Sequence, residues 1–433
     1  MAVSRRRPKS MRVATRSQIW LSEVEPEGTV TTDLEEEEPF ASGKPKHTVQ
    51  EVVQRFKEQY IAMFHPDKKE MEVLLDIAAC KTEEMGGKLE KCDECGATRV
   101  IFNACHNRCC PNCQAMERMA WIEDRLEKML PIGHLHVVLT LPSQLRELAF
   151  CNKRQIPYKI LFQAAAEALQ SLADERQGVQ LGITLIVHTW SREMITHPHV
   201  HAIVTPGGLS RDGQRWVPCT AEELFPVAEL MARFRYLFLS KLTRLGALDQ
   251  LETKGVAGWS TGEEVLATGE QLLEMDWVGH VQAPFAGVEA LTKYLGQYTN
   301  RMVISDSRIL AVDDDTVTIA TKGGKTLTLT GVEFLRRFLL HIPPPWASRI
   351  RHYGLYSNRQ AKTLLATARR LVAPDASAPV SHRGETWEQR LLRVRGVDPR
   401  LCPVCGKGRM QLVDYLTYGD YLALEAQWAT AAA

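Results

Sequence analysis

The apolar positions change their period along the chain. Apolar residues recur every three or four positions in several segments, which predicts helices at residues 47–64, 114–130, 156–173 and 288–301. Short apolar runs rich in β-branched residues predict strands at residues 134–141, 183–190, 200–205 and 277–282. Residues 316–330 predict a β-hairpin, because alternating apolar residues flank a Lys-Gly-Gly-Lys turn whose glycines permit positive φ.

Strands that alternate with helices in this way indicate an α+β fold. We expect four regions. They are a flexible charged tail at residues 1–46, a helical and metal-binding domain at 47–130, a central α+β domain at 131–310, and a C-terminal region with the hairpin at 311–433.

Composition is that of an ordinary globular protein. The chain has 433 residues, of which 45% are apolar and 24% charged, so it can bury more than one core. No apolar run approaches the length of a membrane span, which argues against a membrane partner. The basic start at residues 1–16 lacks the apolar segment of a signal peptide, and we therefore expect a cytoplasmic protein.

Charge is unevenly distributed, although the net charge is only +1. Residues 334–374 contain eight Lys or Arg and no acid, with aromatic residues between them. Such a segment suits phosphate contact and base stacking, and a solvated basic helix face is an equally good explanation. The DNA-contact interpretation selects four arginines of the segment: Arg336, Arg337, Arg349 and Arg351.

Six of the eleven cysteines lie between positions 92 and 113. Cys92-Asp-Glu-Cys95 and Cys110-Pro-Asn-Cys113 are CxxC knuckles fourteen residues apart, and two such knuckles supply the four ligands of a tetrahedral Zn²⁺ site. Cys105, His106 and Cys109 are spare ligand candidates. Cys402 and Cys405 form a third knuckle, which either finds partners elsewhere or is simply a turn.

Two HxH pairs lie on predicted strands, His134-Leu-His136 and His199-Val-His201. Residues i and i+2 of a strand share a face, so both imidazoles of a pair can reach one ion. An HxH pair by itself is a weak signal.

Tyr294 and Tyr298 lie four residues apart in a predicted helix and therefore share one helical face. Aromatic residues packed on an apolar stripe are the more usual explanation of such a pair. Lys293 and Arg301 flank the pair and are candidates for phosphate contact.

The motifs together resemble the rolling-circle insertion-sequence transposases, which are nucleases of the HUH class with paired tyrosines. The matching segments are Asn107-Arg-Cys-Cys-Pro-Asn-Cys-Gln114, His136-Val-Val-Leu-Thr-Leu-Pro142, His188-Thr-Trp190, His197-Pro-His-Val-His201, Tyr294-Leu-Gly-Gln-Tyr-Thr-Asn-Arg301, Phe334-Leu-Arg-Arg-Phe-Leu-Leu-His341 and Arg349-Ile-Arg-His-Tyr-Gly354. One departure is Cys109, which stands where the family would be expected to show His. The resemblance covers most of the chain beyond the tail.

This resemblance implies an HUH-type nuclease domain, with an antiparallel sheet and flanking helices, and a small N-terminal zinc-binding module. It implies that His199 and His201 bind Mg²⁺ or Mn²⁺, with His188 or Gln297 as the third ligand, whereas His136 belongs to the floor of the sheet.

The resemblance also implies a chemistry. Tyr294 and Tyr298 would attack single-stranded element ends and target DNA through 5′-phosphotyrosine intermediates. A replication initiator or relaxase with the same chemistry is one alternative, and a non-catalytic zinc-dependent DNA-binding regulator is another.

Overall fold

Antiparallel sheets with flanking helices make up the described part of the chain. The computed structural model describes residues 45–152, 156–244, 251–284, 303–344, 347–360, 362–375, 381–382 and 384–432. The helices are α1 (Val49–Phe64), α2 (Lys68–Ala79), α3 (Ala115–Lys128), α4 (Arg146–Cys151), α5 (Ile156–Gln177), α6 (Ala221–Leu224), α7 (Val227–Arg244), α8 (Gly262–Glu274), α9 (Gly331–Leu340), α10 (Leu364–Val372), α11 (Trp387–Arg395) and α12 (Tyr418–Ala432).

The described strands form four sheets. They are β1 (Gly87–Cys92), β2 (Thr98–Phe102), β3 (Leu135–Thr140), β4 (Val179–Gln180), β5 (Gly182–Trp190), β6 (Thr196–Val204), β7 (Gly207–Ser210), β8 (Trp216–Pro218), β9 (Gly279–Gln282), β10 (Ile309–Val312), β11 (Thr316–Ala320), β12 (Thr326–Thr330), β13 (Ile350–Gly354) and β14 (Met410–Leu416).

The largest sheet has the strand order β13-β5-β6-β3-β9, and every neighbouring pair is antiparallel. Its strands β3, β5 and β6 are buried on both faces, which explains why they are nearly continuous apolar runs. One face carries Leu135, Val137 and Leu139 of β3 into an apolar core shared with α5 and α7. The residues between these positions in each strand therefore point to the opposite face of the sheet.

The opposite face of this sheet is divided into two parts. Toward one end, Ile186 and Ile203 are buried in a second core with residues of α3 and α10, including Ile122 and Leu365. Toward the other end, the same rows of the sheet carry histidines instead of isoleucine. Because side chains alternate between the two faces along β5 and β6, these histidines lie on the same face as the second apolar core and next to it.

Helices α1, α2 and α9 pack with the sheet β10-β11-β12 around a separate core. Gly331, the first residue of α9, lies against the ring of Phe56 in α1, and an added Cβ would stand 2.2 Å from that ring. The backbone N–H of Val49 also donates to Asp306 Oδ1 at 2.9 Å. These contacts hold the N-terminal helices to residues 303–340.

A third sheet joins distant parts of the chain, with β1 between β2 and β14. Gly87 pairs with Leu416 and Cys92 pairs with Met410 across the β1–β14 ladder. Among the described residues, no helix combines the length and the apolar character needed to cross a membrane.

The structure confirms the predicted α+β class, the antiparallel sheet with flanking helices and most predicted elements. In the hairpin, Gly323 and Gly324 have φ of 63° and 71°, as the turn requires. The helix predicted at residues 288–301 lies outside the described residues. The sequence interpretation did not include α2, α7 or the sheet β14-β1-β2.

Candidate functional site

Three histidines lie side by side on the polar part of the large sheet. His188 of β5 pairs directly with His199 of β6, and His201 is two residues further along β6 on the same face. One nitrogen from each imidazole lies within 4.8 Å of the others. Of the two candidates for a third metal ligand, the structure therefore brings His188 to the pair, while Gln297 lies outside the described residues.

The spacing of the nitrogens fits a metal ion. Nε2 of His199 is 3.0 Å from Nε2 of His201. Two ligands at right angles around an octahedral ion, each at about 2.1 Å, would be about 3 Å apart. The other nitrogen of His199, Nδ1, lies 2.8 Å from the carbonyl oxygen of His197, a contact that fixes the ring with Nε2 turned away from the backbone.

Burial keeps the imidazoles of His199 and His201 neutral at physiological pH. It lowers the pKa of His199 to about 4 and holds the pKa of His201 well below its usual value. Neighbouring histidines lower the pKa of His201 further. Neutral rings keep a lone pair free, which is the form that binds metal.

His136 belongs to this site as an outer partner. Its Nε2 is 3.0 Å from Nδ1 of His201, and its Nδ1 is 2.8 Å from Oε1 of Gln282. A protonated Nδ1 on His201 can donate to His136, which in turn donates to Gln282. The expectation that His136 only forms the floor of the sheet is therefore incomplete, because β3 lies next to β6 and its ring reaches the metal pair.

His134, the other member of that HxH pair, is part of a separate hydrogen-bond chain. Its Nε2 lies 2.5 Å from the hydroxyl of Tyr356, and its Nδ1 lies 2.9 Å from the carbonyl oxygen of Ile132. The backbone N–H of Leu130 donates to the same hydroxyl at 3.2 Å. Both ring nitrogens of His134 thus have protein partners, so the His134–His136 pair does not act together on one ion.

The predicted nucleophiles Tyr294 and Tyr298 lie outside the described residues, as do Lys293 and Arg301. The described residues on either side of them approach the histidines. On the N-terminal side, Gln282 contacts His136. On the C-terminal side, Val303 and Ile304 share a core with Trp190, whose ring stacks on His188 at 4.8 Å.

The four cysteines predicted to form one zinc site are not brought together. Cys110 and Cys113 join a first cysteine cluster, and Cys92 and Cys95 join a second. The first consists of Cys80, Cys105, Cys110 and Cys113, and the second of Cys92, Cys95, Cys402 and Cys405. The knuckles themselves are present, but the predicted pairing of one with the other is wrong, because each closes on different partners in the fold.

In the first cysteine cluster the four sulfurs lie within 4.8 Å of one another, and those of Cys105 and Cys113 are 3.8 Å apart. Four thiolates at about 2.3 Å from a tetrahedral Zn²⁺ are about 3.8 Å apart. Cys80, directly after α2, was missed because it stands alone in the sequence, outside any CxxC knuckle. Cys109 is not a member, although it is buried in the same core as Cys80 and Cys110, and burial raises its pKa to about 11.

Two of the arginines predicted to contact DNA form ion pairs with a carboxylate of the protein. Arg336 and Arg337 both form ion pairs with Glu333 on α9. Two aromatic residues of the same segment, Phe334 and Phe338, are fully buried against α1 and α2 rather than open to bases. For α9 these contacts favour the simpler interpretation, a helix with an ordinary charged face, and DNA contact by Arg336 and Arg337 stays a prediction.

Arg349 and Arg351 lie in different places, although both flank Ile350. Arg351 stacks on the ring of Phe162 in α5 at 4.6 Å, on the face with the large apolar core. Arg349 instead lines a polar cleft of about 380 Å³ on the histidine side of the sheet. The cleft is lined by Arg108, Gln114, Trp121, Arg125, Ser348, Arg349, Ile350, His352 and Asn358.

Similarity to known proteins agrees with this arrangement. Residues 182–363 match the family described as "Putative transposase", and residues 52–141 match the "Transposase zinc-binding domain". A protein of Sinorhizobium fredii (strain NBRC 101917 / NGR234), "Putative transposase y4qJ", is 35% identical over 379 residues, which cover 84% of this chain and 94% of that protein. The chain belongs to the insertion-sequence transposase family.

A second transposase relative comes from Pseudomonas savastanoi pv. phaseolicola. This protein, "Transposase for insertion sequence element IS801", is 28% identical over 354 residues, covering 78% of this chain and 82% of the relative. No solved structure matches the chain. The resemblance to insertion-sequence transposases is thereby confirmed, and the first cysteine cluster lies wholly within the matched zinc-binding region.

Proposed function

We propose that this transposase cleaves and rejoins single DNA strands with tyrosine nucleophiles beside a divalent metal ion, and so moves an insertion sequence by a rolling-circle-like route. The three clustered imidazoles of His188, His199 and His201 carry the proposal. Three imidazoles whose nitrogens lie this close together form a set of ligands for one divalent ion, and the rings of His199 and His201 are held in the neutral form that binds metal.

The three histidines would hold Mn²⁺ or Mg²⁺. Three nitrogen ligands suit Mn²⁺ better than Mg²⁺, which prefers oxygen. When bound, such an ion withdraws charge from a scissile phosphate. His136 and the carbonyl of His197 would hold the two β6 rings in the ligating orientation.

Tyr294 and Tyr298 would supply the attacking oxygens. The phenol oxygen bonds to phosphorus while the bond from phosphorus to the 3′ oxygen breaks. The electron pair stays on the 3′ oxygen, which gains a proton, and the phenol proton passes to solvent. The contacts of Gln282 with His136 and of Ile304 with the core around Trp190 support this proposal, since described residues on both sides of the two tyrosines lie next to the histidine site.

Single-stranded DNA would reach the histidines through the arginine-lined cleft. His352 in the cleft contacts Thr184 Oγ1 through Nδ1 at 3.0 Å, and Thr184 lies in the same row of β5 as His188. The guanidinium of Arg125 stacks on Trp121 at 5.9 Å. Cationic and aromatic groups together favour a phosphate backbone with unpaired bases.

The test replaces both tyrosines with phenylalanine, which keeps the rings and removes the attacking oxygens. Incubated with Mn²⁺ and end-labelled single-stranded DNA, the wild type should yield protein-linked label after denaturation, and Tyr294→Phe, Tyr298→Phe should yield none. Tyr236→Phe is the matched control, because Tyr236 is 66% exposed on α7. A covalent adduct in the double variant would overturn the tyrosine assignment.

The same assay separates the alternatives. DNA binding without cleavage by the wild type would identify a zinc-dependent regulator. A replication initiator or relaxase would cleave its own origin, whereas a transposase should cleave at the ends of the element that encodes it.

A further inference from the structure

The second cysteine cluster brings together sulfurs from opposite ends of the chain. The sulfurs of Cys92 and Cys405 are 3.8 Å apart, and those of Cys95 and Cys402 are 3.7 Å apart. Four thiolates around a tetrahedral Zn²⁺ at about 2.3 Å would be about 3.8 Å apart. These distances are far longer than the roughly 2.05 Å of a disulfide.

We propose that the second cysteine cluster holds a structural zinc ion of its own, which fastens the C-terminal residues 387–432 to the zinc-binding region near the N terminus. This site is separate from the first cysteine cluster and from the histidine site. Only Cys92 and Cys95 lie within the matched zinc-binding region, residues 52–141, while Cys402 and Cys405 lie 260 residues or more beyond its end.

The backbone of both knuckles is arranged to support thiolates. The N–H of Cys95 points to Sγ of Cys92 at 3.5 Å, and the N–H of Gly408 points to Sγ of Cys405 at 3.4 Å. Each knuckle thus has an N–H···S contact that would stabilise negative charge on sulfur. Gly408 also leaves room for the other knuckle, since an added Cβ would stand 2.5 Å from Sγ of Cys92.

Backbone pairing carries the two knuckles to each other. Strand β1 ends at Cys92, and its partner strand β14 begins at Met410, directly opposite. At the same end, the N–H of Arg409 donates to Asp93 Oδ1 at 2.7 Å, and the N–H of Asp93 donates to the carbonyl of Arg409 at 3.1 Å. The register that pairs the strands therefore also aligns the sulfurs.

The sheet β14-β1-β2 has only a small apolar core of its own. Its buried core consists of Cys92, Cys402 and Met410. Apolar side chains of β14 are turned outward, with Leu412 49% and Tyr415 65% exposed. A short three-stranded sheet needs a hydrophobic face or another source of stability, and a structural zinc ion supplies one.

Alkylation of the unaltered full-length protein tests the site, with each cysteine followed by mass spectrometry. Cys95 and Cys151 are both exposed thiols, so Cys151 is the matched internal control. In zinc-loaded protein Cys95 should react at least about ten-fold more slowly than Cys151, because a coordinated thiolate is a poor nucleophile. A strong chelator should bring the two rates close together. Equal rates before chelation would overturn the proposal.

Zinc content provides an independent measurement on variants of the full chain. The wild type should carry two zinc ions, one per cysteine cluster, and Cys402→Ser, Cys405→Ser should carry one. Cys151→Ser, Cys219→Ser changes cysteines outside both clusters and should retain two. A wild type that carries one zinc ion, all of it retained in Cys402→Ser, Cys405→Ser, would contradict the second site.

Discussion

Nε2 of His136 lies 3.0 Å from Nδ1 of His201, so a residue of one HxH pair contacts a residue of the other. The contact joins the neighbouring strands β3 and β6 on the face that carries His188 and His199. It gives His136 a positioning role, because the partner of a ligating imidazole fixes the tautomer and orientation of that ring.

His136→Ala should therefore weaken Mn²⁺ binding about 10- to 100-fold, the usual cost of losing an outer partner. Metal affinity is measured by titrating Mn²⁺ in the nicking assay, and zinc content is followed in parallel. Because His136 is not a member of either cysteine cluster, zinc content should not change. If saturating Mn²⁺ failed to restore cleavage in a folded variant, positioning would not explain the role of His136.

His188 is the third metal ligand in this proposal. His188→Ala should weaken Mn²⁺ binding as strongly as His199→Ala or His201→Ala, since each removes one of three nitrogens. Gln297→Ala should bind Mn²⁺ like the wild type in a calorimetric titration. The opposite ranking would assign the third position to Gln297.

The metal preference follows from the ligand set. Cleavage by the wild type should be faster with Mn²⁺ than with Mg²⁺ at equal concentration, because imidazole ligands favour the transition ion. Initial nicking rates over a range of each metal measure this. Faster cleavage with Mg²⁺ at every concentration would indicate that oxygen ligands dominate the site.

Arg349 lines the cleft just before β13 begins, whereas Arg351 of β13 lies over Phe162, so the two arginines form a matched pair. Arg349→Ala should weaken binding to all single-stranded DNA sequences. The logarithm of the DNA association constant falls linearly with the logarithm of salt concentration, and the steepness of this salt slope should decrease by about 0.7, as for one lost phosphate contact. Arg351→Ala should lower thermal stability through its lost contact with Phe162 and leave the salt slope unchanged. A change of salt slope in Arg351→Ala alone would place the DNA on the other face.

Acid should destabilise the protein through His134. Burial lowers the pKa of His134 to about 4, against an ordinary value of 6.5, so the folded state keeps this ring neutral. Between these pH values the unfolded chain binds the extra proton, and stability falls as pH falls, by up to about 1.4 kcal/mol per pH unit from this group. Above pH 6.5 the contribution is fully present.

Urea midpoints at pH 7, 5.5 and 4.5 measure this effect. His134→Gln can still accept the hydrogen bond from Tyr356 but has no proton to gain, so its stability should fall less steeply over the same range. Parallel pH dependences in the variant and the wild type would show that other groups cause the acid sensitivity.

Most local structure was determined by the sequence itself. Strands β3, β5 and β6 and helices α1, α3 and α5 follow from apolar periodicity and turn residues, which act over a few neighbouring positions. The His199–His201 spacing likewise places two imidazoles on one face of a strand. Each CxxC knuckle indicates two sulfur ligands, because the knuckle is a local turn.

The tertiary structure decided which side chains contact each other across long distances in the sequence. His136 meets His201 because β3 and β6 are neighbours in the sheet, although 64 residues separate them in the sequence.

Tertiary structure also decides the partners of the Cys92–Cys95 knuckle. It lies beside Cys402 and Cys405, although Cys110 is nearer in the sequence. A tetrahedral site needs four sulfurs at one point in space, and spacing along the chain fixes only two of them. The pairing of β1 with β14 brings the other two, and that pairing depends on register and packing across the whole fold.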